Sequence, residues 1–538
     1  NTHIEYSVDG STSSNPFDIT EKDMQIQKLH ITDDYMINDV FNSDFIPATI
    51  GGESLYGYPM RTVISESNNT NWDKAVLAMA NVNIPYTYEK SLSLPYNVLH
   101  TDLKWSTNTE DKKRASKYIE SILLMLRTKV LLNNGDLSKT EIVWFYPASM
   151  TQNRFNKFKA EWENTFATLF GAPISNIIAA SESVAPYYYH KAKKGATSTV
   201  VSVDIGGGTT DVLIVDKGEP KYLTSFRFAA NTIFGDGYSY DSDSNGFVNK
   251  YKDIITNQLE TNNLRGLKAV LKSVLDKRVS TDVIAFLFSL ASNKEIKKEK
   301  VEINFAKMLA DDNRGKYVVI LFYVAIVYHI AKLMKAKGFD MPRHMTFSGN
   351  GSKVLNILST NDATLVRLTK IIFEEIYAQS YSIDGLDIIR PANSKESTCK
   401  GGIILTPFQS QDYGEIKDMK TILIGTDNEK FADVHMTYND VTEADLDSVV
   451  DVIKEYIEFT FKLDKKFSFY NNFDVDRSIM NKVKDLCYRD IRTYLENGLA
   501  IKKSEIAQDG ADDNLEETLF FYPLVGIINA VVRNIYQM

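Results

Sequence analysis

The chain has 538 residues and a formal net charge of −9, and 43% of its residues are hydrophobic and 24% charged. This composition is typical of an ordinary globular protein, and the length predicts two to four domains of roughly 100 to 200 residues each. The acidic balance argues against a nucleic-acid partner, and the two distant cysteines, Cys399 and Cys487, have no metal-ligand or redox spacing, which favours a cytoplasmic location.

The first 200 residues alternate between strand and helix patterns. A strand is predicted at the start, in THIEYSVDG, and a buried strand in TEIVWFYPAS at 140–149. Residues 111–132 place apolar side chains at helical spacing, which predicts a helix of about five turns. Residues 151–171 predict an amphipathic helix that ends at Gly171.

The alternation continues through the middle of the chain. Residues 198–216 predict two strands joined by a glycine hairpin, and residues 344–351 predict a strand that runs into a glycine turn. Between them, 247–337 has an almost wholly helical pattern. Its apolar stretch at 317–331 is shorter than the about 20 residues that cross a bilayer, so we expect a buried helix and no membrane span. Strands and helices in this order predict an α/β architecture.

Near residue 405 the alternation of strand and helix patterns gives way to mainly helical patterns, and we predict a domain boundary there. One strand is expected beyond it, in KTILIG at 420–425. Helices are expected near 442–463, 475–497 and 515–537.

A glycine triplet in the predicted hairpin is the strongest chemical signal. It consists of Gly206, Gly207 and Gly208. Glycine permits positive φ and close approach of a ligand to backbone N–H groups, which suits phosphate oxygens, and the hydroxyls of Thr209 and Thr210 add donors. The flanking Asp204 and Asp211 would repel a polyphosphate unless a cation or water intervenes, which predicts a nucleotide with Mg²⁺ held largely through water. The alternative is a tight hairpin whose glycines only serve the turn.

DIGGGTTD resembles the second phosphate loop of the actin, DnaK-type chaperone and sugar kinase superfamily, which clamps the β- and γ-phosphates of ATP. Further motifs follow the order of that superfamily, with the chaperone nucleotide-binding domain as the nearest match. SESVAP resembles the start of a connecting helix, AANTIFGDGYSYD a turn near the nucleotide, MTFSGNGSK the adenosine loop, and ESTCKGGIIL a second connecting helix that is closely packed at Gly401 and Gly402.

The resemblance implies a two-lobed actin-like ATPase fold built from duplicated ribonuclease H-like domains. The first lobe would span 1–199 with an insertion at about 20–100. The second would span 200–404 and include the helical subdomain at about 247–337. A mainly helical C-terminal region, 405–538, would complete the chain. The superfamily's first phosphate loop has no complete motif here, although NTHIEY resembles its tail.

The resemblance also assigns residues to roles. Asp204 would orient water around Mg²⁺, Asp211 would position the attacking water, and Glu182 would hold the water network of the cleft. The expected nucleotide-binding residues are Asn1, Thr2, Gly206, Gly207, Gly208, Thr209, Thr210, Gly235, Asp236, Gly237, Ser348, Gly349, Asn350 and Gly351.

The implied function is that of an ATP-binding, slowly ATP-hydrolysing switch that changes shape between its ATP and ADP states for a protein partner. The C-terminal region shows no sign of the chaperones' β-sandwich, so the partner would be a dedicated protein. The alternatives are an actin-like filament-forming protein, a phosphotransferase, and a nucleotide-binding scaffold without turnover.

Overall fold

The structure is a computed structural model. It describes residues 3–8, 11, 13–17, 60–67, 78–83, 97–100, 109–147, 150, 152–194, 198–239, 241–382, 385–391, 394–405, 437–509, 515 and 517–537.

Twelve strands occur in the described residues. They are β1 (Glu5–Tyr6), β2 (Asn15–Pro16), β3 (Met60–Ser67), β4 (Ala78–Asn83), β5 (Asn97–His100), β6 (Ile142–Tyr146), β7 (Ile177–Ser181), β8 (Val200–Ile205), β9 (Thr210–Asp216), β10 (Glu219–Phe226), β11 (His344–Ser348) and β12 (Asp387–Ile389).

The helices of the N-terminal and central parts are α1 (Thr109–Leu132), α2 (Gln152–Phe170), α3 (Val184–Lys194), α4 (Ala230–Phe234), α5 (Gly246–Thr261), α6 (Arg265–Asp276), α7 (Ser280–Ser289), α8 (Lys294–Lys298), α9 (Phe305–Ala310), α10 (Lys316–Ala336), α11 (Leu355–Leu358), α12 (Asp362–Tyr377) and α13 (Ser394–Ile404). The C-terminal helices are α14 (Glu443–Phe467), α15 (Phe469–Phe473), α16 (Met480–Cys487), α17 (Ile491–Asp509) and α18 (Phe521–Ile535).

The N-terminal part packs helices on a parallel strand pair. β6 pairs with β7, with Ile142 opposite Ile177, and α1 packs against α2 beside them. The core is aromatic: the ring of Trp144 on β6 stacks on Trp162 of α2 with centroids 5.6 Å apart. The predicted buried strand and both predicted helices are therefore confirmed, and the second helix ends before Gly171, whose φ is 61°.

The central part is built on a mixed five-stranded sheet in the order β10-β9-β8-β11-β12. β8, β9 and β10 form an antiparallel meander, whereas β11 runs parallel to both β8 and β12. Because helices cover its faces, β8 is buried along its whole length, including Ser202 and Asp204. An α/β fold with a mixed sheet is thus confirmed, while the duplicated two-lobed arrangement stays a prediction.

The predicted helical segment forms α5 to α10, and α10, the last of these helices, is almost wholly buried. Among the described residues, α10 is the one helix long and apolar enough to cross a membrane by length and composition, yet 94% of its most apolar window is buried inside the protein. The sequence prediction of a buried helix at 317–331 is therefore confirmed.

The C-terminal helices pack on the same core as the central part. α14 and α18 both lie against α10, and α18 also contacts α4 and α5. The expected helices near 442–463, 475–497 and 515–537 correspond to α14, to α16 and α17, and to α18. The strand expected at 420–425 lies outside the described residues, and the boundary near 405 stays a prediction.

Candidate functional site

One large cavity separates the N-terminal part from the central part. Its volume is about 2360 Å³. Glu182, after β7, lines one side, and the hairpin between β8 and β9 lines the other. Further lining residues that the sequence analysis singled out are Asp204, Gly206, Gly207, Gly208, Gly349, Asn350 and Gly351. The structure thus brings together three segments that are far apart in sequence: the turn at Glu182, the glycine hairpin and the loop at 349–351.

The glycine hairpin is closed by its own backbone. Asp204 pairs with Asp211 across β8 and β9, and the N–H of Gly206 donates to the carbonyl of Thr209 at 2.8 Å. None of the three glycines has a φ in the left-handed range. The backbone conformation of this turn therefore does not itself require glycine at these positions.

Internal packing does not require the tip of the hairpin to be glycine either. A Cβ on Gly208 would meet no protein atom within 4 Å, and a Cβ on Gly207 would lie 3.6 Å from Asn231 Oδ1, an ordinary contact. Gly207 and Gly208 are exposed, and both line the cavity. Because Gly207 and Gly208 have no side chains, their backbone is accessible from the open space of the cavity.

The loop after β11 does need its glycines. Gly349 has a φ of 78°, and a Cβ there would lie 2.2 Å from the carbonyl oxygen of Ile205. A Cβ on Gly351 would lie 2.1 Å from the carbonyl oxygen of Gly206. The backbone of this loop therefore runs directly over the end of β8, which fixes it beside the hairpin and at the edge of the cavity.

The acidic residues occupy different depths. Asp204 is buried at 7% exposure and lines the cavity, and its Oδ2 accepts a hydrogen bond from Ser348 Oγ at 3.0 Å. Asp211, its neighbour across the ladder, is 1% exposed and does not line the cavity. Glu182 is half-buried, and its N–H donates to the carbonyl of Tyr146 at 3.0 Å, which ties it to the end of β6.

These carboxylates could serve Mg²⁺ only through water or shared ligands. The described residues contain no group of three or more His, Cys, Asp or Glu side chains that could hold a metal ion. Mg²⁺ commonly keeps several waters and binds one or two carboxylates together with phosphate oxygens. A cavity lined by Asp204 and Glu182 beside an exposed glycine hairpin fits an ion that arrives with a phosphate ligand.

Several expected nucleotide-binding residues lie away from the cavity lining. Ser348 and Thr210 are fully buried, and Thr210 Oγ1 donates to the carbonyl of Phe228 at 2.6 Å, so its hydroxyl serves the fold. Thr209 is also buried, at 8% exposure. Asn1 and Thr2 lie outside the described residues.

The turn after α4 also faces another way. A Cβ on Gly235 would lie 2.3 Å from the carbonyl oxygen of Asn231, and one on Gly237 would lie 2.9 Å from Asn529 Cβ of α18. Burial raises the pKa of Asp236 above its usual value. The structure therefore packs 235–237 against α4 and the C-terminal helix, because the chain turns back from the cavity after α4.

Two cavity residues were missed by the sequence analysis. Asn231 donates its N–H to the carbonyl of Gly207 at 2.8 Å, and Ala230 donates to Gly206 at 3.3 Å, so the start of α4 holds the hairpin. Lys353 lines the cavity, and burial lowers its pKa. Asn231 lies within AANTIFGDGYSYD and Lys353 within MTFSGNGSK, and these motifs were the signal that could have identified them.

The two connecting helices meet at the expected glycines. A Cβ on Gly401 of α13 would lie 1.8 Å from the carbonyl oxygen of Ala185 of α3, and one on Gly402 would lie 2.5 Å from the ring of Phe145. The two helices therefore pack with their backbones in close contact at Gly401.

No protein-family model and no curated protein matches the sequence. Among solved structures, the ethanolamine utilization protein EutJ from Carboxydothermus hydrogenoformans matches at 12% identity with a TM-score of 0.29, over 65% of this chain and 91% of that one. MreB5 of Spiroplasma citri bound to ADP matches at 14% identity with a TM-score of 0.32, over 68% and 94% of the two chains. MreB 5 of the same organism bound to AMPPNP matches at 14% identity with a TM-score of 0.30, over 66% and 90%. At these identities and TM-scores, the likeness assigns neither ligand nor activity.

Proposed function

We propose that this chain, which has the motifs of the actin, DnaK-type chaperone and sugar kinase superfamily, binds ATP and ADP with Mg²⁺ in the cavity and hydrolyses ATP slowly. The observation that carries the proposal is the bareness of the hairpin tip. Neither backbone conformation nor internal packing requires glycine at positions 207 and 208. An accessible, side-chain-free backbone at a cavity wall is what close approach of phosphate oxygens demands.

Hydrolysis would be an in-line attack of water on the γ-phosphorus, which breaks the bond to the β-γ bridging oxygen and releases ADP and phosphate. Bound Mg²⁺ would neutralise phosphate charge. Asp204 would orient water around the ion, since Ser348 fixes its carboxylate, and Glu182 would hold water from the opposite wall. Asp211, which is buried opposite Asp204 across the ladder and does not line the cavity, would support Asp204 from behind the cavity wall.

The position of the cavity supports a conformational switch. Its walls come from both parts of the chain, so a ligand that contacts both favours a closer approach of the two walls. The helices α3 and α13 cross with their backbones in contact at Gly401, which lets them pivot with little side-chain rearrangement. We propose a protein partner that recognises the difference between the nucleotide states, in the cytoplasm.

Calorimetric titration with Mg²⁺-ATP and Mg²⁺-ADP tests the proposal, using Gly208→Val as the diagnostic variant. The new side chain meets no protein atom near its Cβ, so the thermal midpoint should be unchanged, while the phosphate space is filled. We expect nucleotide affinity to fall by about tenfold or more, which is about 1.4 kcal/mol of binding free energy. Unaltered affinity in Gly208→Val, or no binding by the parent chain, would refute nucleotide binding at this hairpin.

The role of Asp204 is tested with a matched pair of variants. Asp204→Asn should remove most of the gain in affinity that Mg²⁺ provides, because its carboxylate lines the cavity. Asp216→Asn is the control: it makes the same change at the far end of β9, where Asp216 Oδ1 accepts from Thr199 Oγ1 at 2.9 Å. Single-turnover hydrolysis by the parent chain distinguishes a slow ATPase from a scaffold that binds without turnover.

A further inference from the structure

The C-terminal helix α18 lies directly behind the element that holds the glycine hairpin. The start of α4 donates backbone hydrogen bonds to the carbonyls of Gly206 and Gly207. The other side of α4 packs against α18. Just after α4, Gly237 leaves so little room that an added Cβ would lie 2.9 Å from Asn529 Cβ, and Tyr238 Oη donates to the carbonyl of Tyr522 at 2.6 Å. One short helix thus separates the hairpin from the end of the chain.

Aromatic stacking joins the strand before α4 to the same helix. The ring of Phe521 stacks on Phe226, the last residue of β10, with centroids 4.0 Å apart. It also lies 4.8 Å from the ring of Phe228. The carbonyl of Phe228 also accepts the hydroxyl hydrogen bond from Thr210, next to the hairpin, so this residue links the hairpin to the aromatic stack.

A buried ion cluster fixes the register between the two parts. Glu517 is 2% exposed and accepts from the N–H of Arg227 at 3.0 Å and from Tyr522 Oη at 3.0 Å. Lys502 Nζ lies 3.4 Å from Glu517, and the Arg227 guanidinium pairs with Glu505. Burial favours the neutral acid, but Lys502 and Arg227 outweigh it, so the pKa of Glu517 is lowered. Separating the buried charges of Glu517 and Lys502 is costly, which favours retention of this contact.

We infer that residues 517–529 are coupled to the glycine hairpin through α4, so that nucleotide occupancy and the arrangement of the C-terminal helices control each other. This inference rests on the proposed function. Such coupling is reciprocal. A protein that docks on the C-terminal helices and displaces α18 therefore changes the affinity for nucleotide, and nucleotide changes the affinity for that protein by the same factor. The C-terminal region is then the part of the molecule that a partner binds according to the nucleotide state.

Amide hydrogen exchange of the full chain, with and without saturating Mg²⁺-ADP, tests the coupling. Exchange is followed in the hairpin, 204–211, and in 517–529. We expect nucleotide to slow exchange at both, by about threefold or more in 517–529, although that segment does not line the cavity. Protection of the hairpin with unchanged exchange in 517–529 overturns the coupling and leaves nucleotide binding intact. Absence of protection at the hairpin defeats the proposed function itself, and the coupling with it.

A matched pair of tyrosine variants tests the route. Tyr238→Phe removes one hydroxyl that donates to a backbone carbonyl between α4 and α18. Tyr377→Phe removes the same kind of bond, from Tyr377 Oη to the carbonyl of Phe339 at 2.8 Å, on a helix away from α4. We expect Tyr238→Phe to reduce the protection of 517–529 by at least about twofold and Tyr377→Phe to preserve it. Equal effects of the two variants would contradict transmission through α4.

Discussion

Acid should destabilise this protein through one buried histidine, and His329→Leu should remove that effect. His329 lies in α10 at 1% exposure, with the rings of Phe226, Phe520 and Phe521 at 4.9–5.5 Å between centroids. Its Nδ1 has no hydrogen-bond partner. Burial lowers the pKa of this histidine from 6.5 to about 3. Leucine offers an apolar side chain of similar size that cannot be protonated.

The sign and size of the effect follow from proton linkage. The folded state binds the proton less readily than the unfolded state, so stability falls as pH drops below 6.5 and continues to fall until pH approaches the folded value. Each pH unit in that window costs about 1.4 kcal/mol. At pH 4.5, two units below the unfolded value, the loss from this residue is therefore about 2.7 kcal/mol.

Urea-induced unfolding, followed by circular dichroism at pH 7.5, 5.5 and 4.5, measures the effect. The difference in unfolding free energy between pH 7.5 and 4.5 should be smaller in His329→Leu than in the parent chain by about 2.7 kcal/mol. His344→Leu is the control, since this ring lies at the start of β11, outside the aromatic cluster, and its loss should leave most of the difference in place. Parallel pH profiles for the parent chain and His329→Leu would refute the reasoning.

Two further predictions concern the loop after β11 and the cysteines. Gly349→Ala should lower the unfolding free energy by about 2 kcal/mol or more, because the new Cβ would collide with the carbonyl of Ile205. Gly338 has a similar φ but open surroundings, so Gly338→Ala should cost about half as much. Equal losses of the two variants in urea titrations would contradict this prediction. Cys487 is fully buried, which raises its pKa, so a thiol reagent should modify Cys399 first and Cys487 only in urea; early labelling of Cys487 in mass spectra would argue against its burial.

The order of elements could be predicted because local patterns dominate in this chain. The spacing of the apolar residues in α1, for example, is typical of a helix. The sequence analysis assigned Gly349 to nucleotide binding, and the approach of its backbone to Ile205 was not predicted. The burial of Thr210 could not be predicted from the sequence, because a hydroxyl next to a glycine hairpin can bind either a ligand or the backbone. The position of the Phe228 carbonyl, which accepts this hydroxyl, decides between the two.

The turn at 235–237 shows why motif position alone does not determine which neighbour a turn packs against. In sequence it follows α4 within a segment that resembles a nucleotide-proximal turn, and its glycines and Asp236 have suitable chemistry. Its actual orientation depends on α18, nearly 300 residues later, which presents Asn529 to Gly237. Contacts of such long sequence separation leave no local pattern, so the sequence could not distinguish a turn over the cavity from a turn over the C-terminal helix.

The all-round burial of α10 has a consequence for biosynthesis. Its cover includes α12, α14 and α18, all of which leave the ribosome after it, and α18 ends only at Ile535. At about 5–20 residues per second, translation of the residues between Ala336 and Ile535 takes roughly 10–40 s. During that interval a 21-residue apolar helix, long enough to resemble a membrane segment, lacks the part of its native cover that these later helices provide. The rate of synthesis therefore sets how long this apolar surface of the nascent chain stays exposed.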